Sequence, residues 1–222
     1  GTEVKKDEDF YQEKKDKLED VLQNEPGTYR FVWDMNYGDA KRFSDDWIFN
    51  GQLGGAKALP GNYKVRLYNG DTLLGERSFA IQLNPKVKST QADLQAEFDL
   101  MNQITQKQSD VSTAIKQLQS VRKQMNDFMD GFEDTAKIKP LKNSAKPILD
   151  SLQAVEDDLY QSKIKAGEDG LRYPVKLMEK LSALKEQVAS SDNKPTQQEY
   201  DLFNDLSKRL SVPLQKLKTI MN

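Results

Sequence analysis

Apolar residues in this chain change their spacing within Asn84-Pro85-Lys86-Val87-Lys88-Ser89-Thr90-Gln91-Ala92-Asp93-Leu94. Before this stretch they alternate with a period of two. After it they recur every three or four residues to the end of the chain. The first spacing belongs to strands with one face buried, and the second to amphipathic helices. Two unlike halves are therefore expected to meet here, with Pro85 ending strand pairing and Thr90 capping a helix. So short a joint predicts that the halves pack together around Pro85 and Val87.

In the first half, Asn24-Glu25-Pro26-Gly27 is a turn signal, succeeded by Phe31, Trp33, Met35 and Tyr37 on one face of an extended run. Residues 38–59 are looser, with Trp47, Ile48, Phe49 and Leu53 as apolar points. Gly51, Gly54 and Gly55 lack the spacing and the subsequent Gly-Lys-Ser/Thr of a phosphate loop. Tyr63, Val65 and Leu67 then alternate with Lys64, Arg66 and Tyr68. Asn69-Gly70 suits a tight turn, and a return strand runs from Leu73 to Leu83. A lone hairpin is marginal in water, so this one is expected to join the 31–37 strand and others in a small sandwich.

In the second half, one apolar stripe runs from Leu94 to Phe128, interrupted by Gln108, and no Pro or Gly occurs before Gly131. This pattern predicts a single helix over about 91–129. Ile148, Leu152, Val155 and Leu159 mark a second helix, with Pro140 and Pro147 near its start. Leu177, Leu181, Leu184 and Val188 mark a third, with Pro174 in its first turn. Thr196-Gln197-Gln198-Glu199 caps a fourth, which Pro213 is expected to kink or break. The expected fold is thus α+β in two segregated parts: an Ig-like antiparallel β-sandwich over 27–88, then an antiparallel bundle of about four helices over 89–222. A charged lead-in over 1–26 reads as a short helix or partly ordered segment.

Composition then removes whole classes of chemistry. The chain has no Cys and no His. That excludes disulfides, thiolate catalysis, imidazole bases and the common zinc ligands. Net charge is −2 with both signs mixed in each half, unlike a nucleic-acid-binding surface. No apolar run is long enough to span a membrane. Asp7-Glu8-Asp9, Asp45-Asp46 and Asp157-Asp158 read as solvated acids, because neighbouring residues do not face each other across a substrate. Asp34 reads as a buried or semi-buried carboxylate that accepts bonds from a neighbouring loop. The chain opens on Gly1 rather than Met, which reads as an excised fragment or a tag remnant. No catalytic, cofactor or metal site is expected.

Several ordered motifs carry a resemblance. They are residues 30–37 (Arg-Phe-Val-Trp-Asp-Met-Asn-Tyr), 60–67 (Pro-Gly-Asn-Tyr-Lys-Val-Arg-Leu), and Asn84-Pro85-Lys86-Val87 leading into Ala92-Asp93-Leu94. Tyr173-Pro174-Val175-Lys176-Leu177 and Pro195-Thr196 add to it. Together they resemble the C-terminal region of bacterial secreted proteins with sortilin-like or BNR-repeat β-propellers, often labelled glycosyl hydrolases. The resemblance covers most of residues 27–222, and the charged segment 3–23 departs from it. It implies an upstream β-propeller that carries any hydrolase activity, and a location in the periplasm, at the cell surface or outside the cell. This chain would be its non-catalytic accessory region: support, spacer or docking surface. A homodimer through the long first helix is a further expectation. The rival expectation is carbohydrate or peptide binding by the β half, using Trp33, Tyr37, Trp47 and Tyr68. Exposure of those rings in a concave face would favour it.

Overall fold

A computed structural model describes residues 26–43, 53–132 and 135–221. The readings made on segment 3–23, on Asp45-Asp46 and on Trp47 lie outside the described residues. Two strands, β1 (Gly61–Asn69) and β2 (Thr72–Ile81), pair as an antiparallel hairpin. Four helices come after them: α1 (Gln91–Asp130), α2 (Thr135–Leu159), α3 (Leu177–Val188) and α4 (Gln197–Met221). A 3-10 turn at Gly167–Leu171 lies between α2 and α3.

The β-sandwich is not formed. Among the described residues the sheet has two strands, and neither packs against a helix. The 29–37 run fails as a strand at Met35, whose φ of 62° is left-handed and breaks the alternation of faces. Asp34 holds this turn by accepting bonds from the Asn36 amide (2.8 Å) and side chain (3.0 Å). Trp33 Nε1 donates to the Asn36 carbonyl at 2.9 Å. Beyond the turn the backbone forms a short ladder with the 53–58 segment: Ala58 N to Met35 O at 2.7 Å and Tyr37 N to Ala56 O at 2.8 Å. Gly55 is required there, because a Cβ would fall on the Tyr37 carbonyl.

The hairpin turn sits one residue later than Asn69-Gly70 suggests. Asn69 pairs with Thr72, and of the two loop residues Gly70 and Asp71 only Gly70 has positive φ, at 56°. A glycine in the first loop position is the primed turn that matches strand twist. Next to it the register shifts, with Leu67 opposite Gly75 and Tyr68 opposite Leu73, so Leu74 is an unmatched bulge residue.

Helix α1 is 40 residues, about 60 Å long at 1.5 Å per residue. Its start is a reciprocal cap: Asp93 N donates to Thr90 Oγ1 (3.2 Å) and Thr90 N to the Asp93 carboxylate (3.0 Å). The Thr90 bonds hold the Asp93 carboxyl below its usual range. Thr196 and Glu199 repeat the device at α4. Arg122 pairs with Glu156 at 2.6 Å, while Met129 packs with Ile138 and Ala145. Rising numbers on α1 thus meet falling numbers on α2, so the two helices are antiparallel. Helix α2 begins before Pro140 and Pro147 and runs through both, and α4 continues past Pro213, which is buried. Pro174 lies outside α3, whose N-cap is Lys176. The buried Glu179 carboxylate organises this entry by accepting from Lys176 N (2.8 Å) and Gln161 N (3.1 Å).

The core is shared between the halves. Leu100, Ile104, Ile115, Leu118, Leu152 and Leu181 are fully buried, and Ala40, Phe43, Leu53 and Ala56 join the same cluster from the loop region. Phe43 meets Tyr160 edge-on with ring centroids 4.7 Å apart. Docking therefore runs through residues 40–43 and 53–56. Pro85, expected at the contact, is exposed in a turn closed by Val87 N to Asn84 O at 2.9 Å. Among the described residues no helix is long and apolar enough to cross a membrane.

Candidate functional site: an aromatic root and a protruding β arm

The hairpin is rooted in aromatic contacts and then leaves the body of the protein. Tyr63 and Phe79 are cross-strand partners whose rings stack at 5.8 Å. Trp33 leans on both, at 5.8 Å from Tyr63 and 6.2 Å from Phe79. The Tyr63 hydroxyl donates to the Leu59 carbonyl at 2.8 Å. Burial, and then the neighbouring Tyr37 phenol, push the Tyr63 phenol above its ordinary range. Tyr37 continues the run to the bundle, meeting Phe98 of α1 edge-on at 5.0 Å. A line of rings thus joins the arm to the first helix. Such ring pairs prefer tilted or offset geometry, and each stabilises by about 1 kcal/mol beyond the area it buries.

Above the root the two faces differ. One face carries Tyr63, Val65 and Leu67 opposite Phe79, Arg77 and Gly75. The other carries Lys64 and Arg66, which share Glu76 at 2.8 and 2.6 Å. The bonds from Lys64, then Arg66, hold the Glu76 carboxyl below its usual range, and Glu76 raises Arg66 in turn. This exposed ion triad fixes register more than it stabilises. Towards the tip the charges thin to Asp71 alone. Leu67, Tyr68, Leu73 and Leu74 are 47, 51, 49 and 60% exposed. Neither outer edge of the hairpin is paired among the described residues.

The structure distributes the aromatics singled out in the sequence. Trp33 is half-buried, with its ring engaged by Tyr63 and Phe79. Tyr37 is exposed beside Phe98, and Tyr68 stands near the arm's tip, five residues from the root. At about 3.3 Å per residue, Tyr68 lies roughly 17 Å from Tyr63. Trp33 and Tyr37 share the root with Tyr63, and Tyr68 is apart from them. Asp34, expected to be buried or semi-buried, is instead exposed and bonded within its own turn to Asn36, which holds its carboxyl below its usual range. Asp157 and Asp158 are exposed on α2.

Spacing and composition alone did not reveal the polar cluster inside the bundle. Lys185 is buried and donates to the Leu53 carbonyl (3.2 Å) and to Gln108 Oε1 (3.0 Å), and Gln108 Nε2 donates to Ser182 Oγ (3.0 Å). Burial pushes the Lys185 ammonium down to about 8, with Asp39 opposing. The signal was present: Lys185 lies four residues after Leu181 and three before Val188, on the buried stripe. Among the described residues no group of three or more acids is placed to hold a metal. In comparisons with known proteins, the chain matches no family model, no curated protein and no solved structure.

Proposed function

We propose that this chain is a non-catalytic interaction module in which the helices form a base and the hairpin is a docking arm. The observation that carries the reading is the arm itself: two edges unpaired among the described residues, and a tip whose four large apolar side chains are about half exposed. Free edges invite pairing with another strand, and natural proteins usually blunt them. Here the charged residues that blunt an edge lie towards the root, and the tip has only Asp71. A partner strand added along the arm would supply main-chain bonds, while Leu67, Leu73 and Leu74 would supply apolar contact. A β-rich partner fits this mode, and the resemblance of the motifs suggests an upstream β-propeller of the same polypeptide. In that setting the protein works outside the cytoplasm.

The test is titration of that upstream region, made separately, against this chain by calorimetry. The expected result is saturable binding that Leu67→Lys with Leu74→Lys weakens by about ten-fold or more, the range for losing a central apolar anchor. Absence of binding, or binding indifferent to both substitutions, would contradict the reading.

A further inference from the structure

A cleft of about 400 Å³ lies in the seam between the root of the arm and the helices. Residues 35–36 and 55–60 form one wall, and residues 81–84 with Val87, from the end of β2 onward, form another. The first turns of α1, with Ala189 and Asp192 beyond α3, complete it. The size falls in the range of small-molecule sites. Its walls are largely apolar, with Leu83, Val87, Phe98 and Met101 prominent. Among the described residues three charged side chains line it: Lys57, Glu97 and Asp192.

These three charges are not balanced. Lys57 and Asp192 pair with each other at 3.3 Å. Glu97 makes no hydrogen bond or ion pair among the described residues and is half-buried against apolar wall. A partly desolvated carboxylate without a donor is unfavourable where it stands. Burial first, and then the Asp192 charge, push the Glu97 carboxyl up to about 7. Lys57 acts against this rise and Glu199 adds to it.

An apolar cleft with one excess negative charge has a complementary ligand class. We propose that this cleft binds a small apolar molecule bearing an ammonium group. The hydrocarbon would lie against Val87, Phe98 and Met101, and the ammonium would donate to the Glu97 carboxylate. A neutral ligand of the same shape would offer that carboxylate at most an uncharged donor, and so a weaker bond. An anionic ligand would face both Glu97 and Asp192. The proposal goes beyond the docking arm and does not depend on it, since the cleft is at the root and the open strand edges are above it.

Binding of the cation requires Glu97 ionised, so affinity rises with pH through the Glu97 titration and binding releases a proton. The groups that face Glu97 and shape this titration are Asp192, Lys57 and Glu199. Calorimetric titration of the whole chain with phenylbutylamine, phenylbutanol and phenylbutyrate separates charge from shape. At about pH 8 the amine is expected to bind about ten-fold tighter than the alcohol, the worth of one charge-assisted hydrogen bond, with the carboxylate weakest. Lowering the pH to about 6 should erase most of that preference. Glu97→Gln should bring the amine to the alcohol's affinity and leave the alcohol unchanged. Met101→Trp, which fills the cleft, should abolish both. Circular dichroism of each variant checks the fold, and the comparison of three ligands on the unsubstituted chain stands without any variant. No saturable binding of the amine, equal binding of amine and alcohol, or unchanged amine binding by either substituted chain would overturn the proposal.

Discussion

Lys185 shows how a single residue sets a pH dependence that the surface charges hide. Its ammonium is buried, bonded to the Leu53 carbonyl and Gln108, and held at about 8 against an ordinary 10.5. The unfolded chain keeps that proton up to the higher value, and the folded chain releases it from about 8. Between the two the unfolded state binds more protons, so this group's contribution to stability rises with pH across that window. Unfolding free energies of the native chain and of Lys185→Met, from urea titrations at about pH 7.5 and 10, should change with pH by amounts that differ by roughly 2 kcal/mol. Equal pH dependence in both proteins would show that the amine is solvated. The sequence did not display this residue as buried, because a lysine is assigned to the surface unless its neighbours on the stripe are weighed against its charge. Glu179 was hidden in the same way, since its burial depends on the Gln161 loop that covers it.

The elements were legible to different degrees, for physical reasons. Helix α1 declared itself through its period, its Thr90 cap and the absence of Pro and Gly, and all three are local properties. The hairpin strands also declared themselves. Alternation says that a strand has two unlike faces, and nothing in it requires that a second sheet cover either face. That missing step produced the expected sandwich. The 29–37 run was misread because its alternation hid the left-handed Met35, a conformation fixed by the Asp34 and Trp33 bonds to Asn36 rather than by Met itself. At the far end of α1 the apolar stripe outruns its cover. Phe128 and Phe132 pack edge-on at 5.2 Å and remain exposed, with α2 the helix that pairs there. A second copy of the chain meeting this end would account for both rings. Light scattering across concentration is then expected to show a dimer that Phe128→Ser with Phe132→Ser converts to monomer, and a monomeric mass throughout for the native chain would refute it.

At the scale of the molecule, the two halves are mechanically unequal. The helices share one core with Ala40, Phe43, Leu53 and Ala56, so the segments flanking the root of the arm are anchored in the bundle. Lys57 to Asp192 and Ser89 to the Asp192 carbonyl add polar ties across the seam. Beyond Tyr63 and Phe79 the arm makes no such contacts among the described residues, and a hairpin alone is marginal. The molecule is thus a rigid base with a locally weak arm, the usual character of a segment that orders on a partner. Amide hydrogen exchange resolved residue by residue distinguishes an open arm from a covered one. In β1 and β2, the amides that face the other strand should be protected and the alternating, outward-facing set should exchange almost freely, with the tip fastest and the middle of α1 slowest. Protection of both alternating sets in the chain by itself would mean that another strand already covers the arm, and the docking arm would then have no free edge to offer.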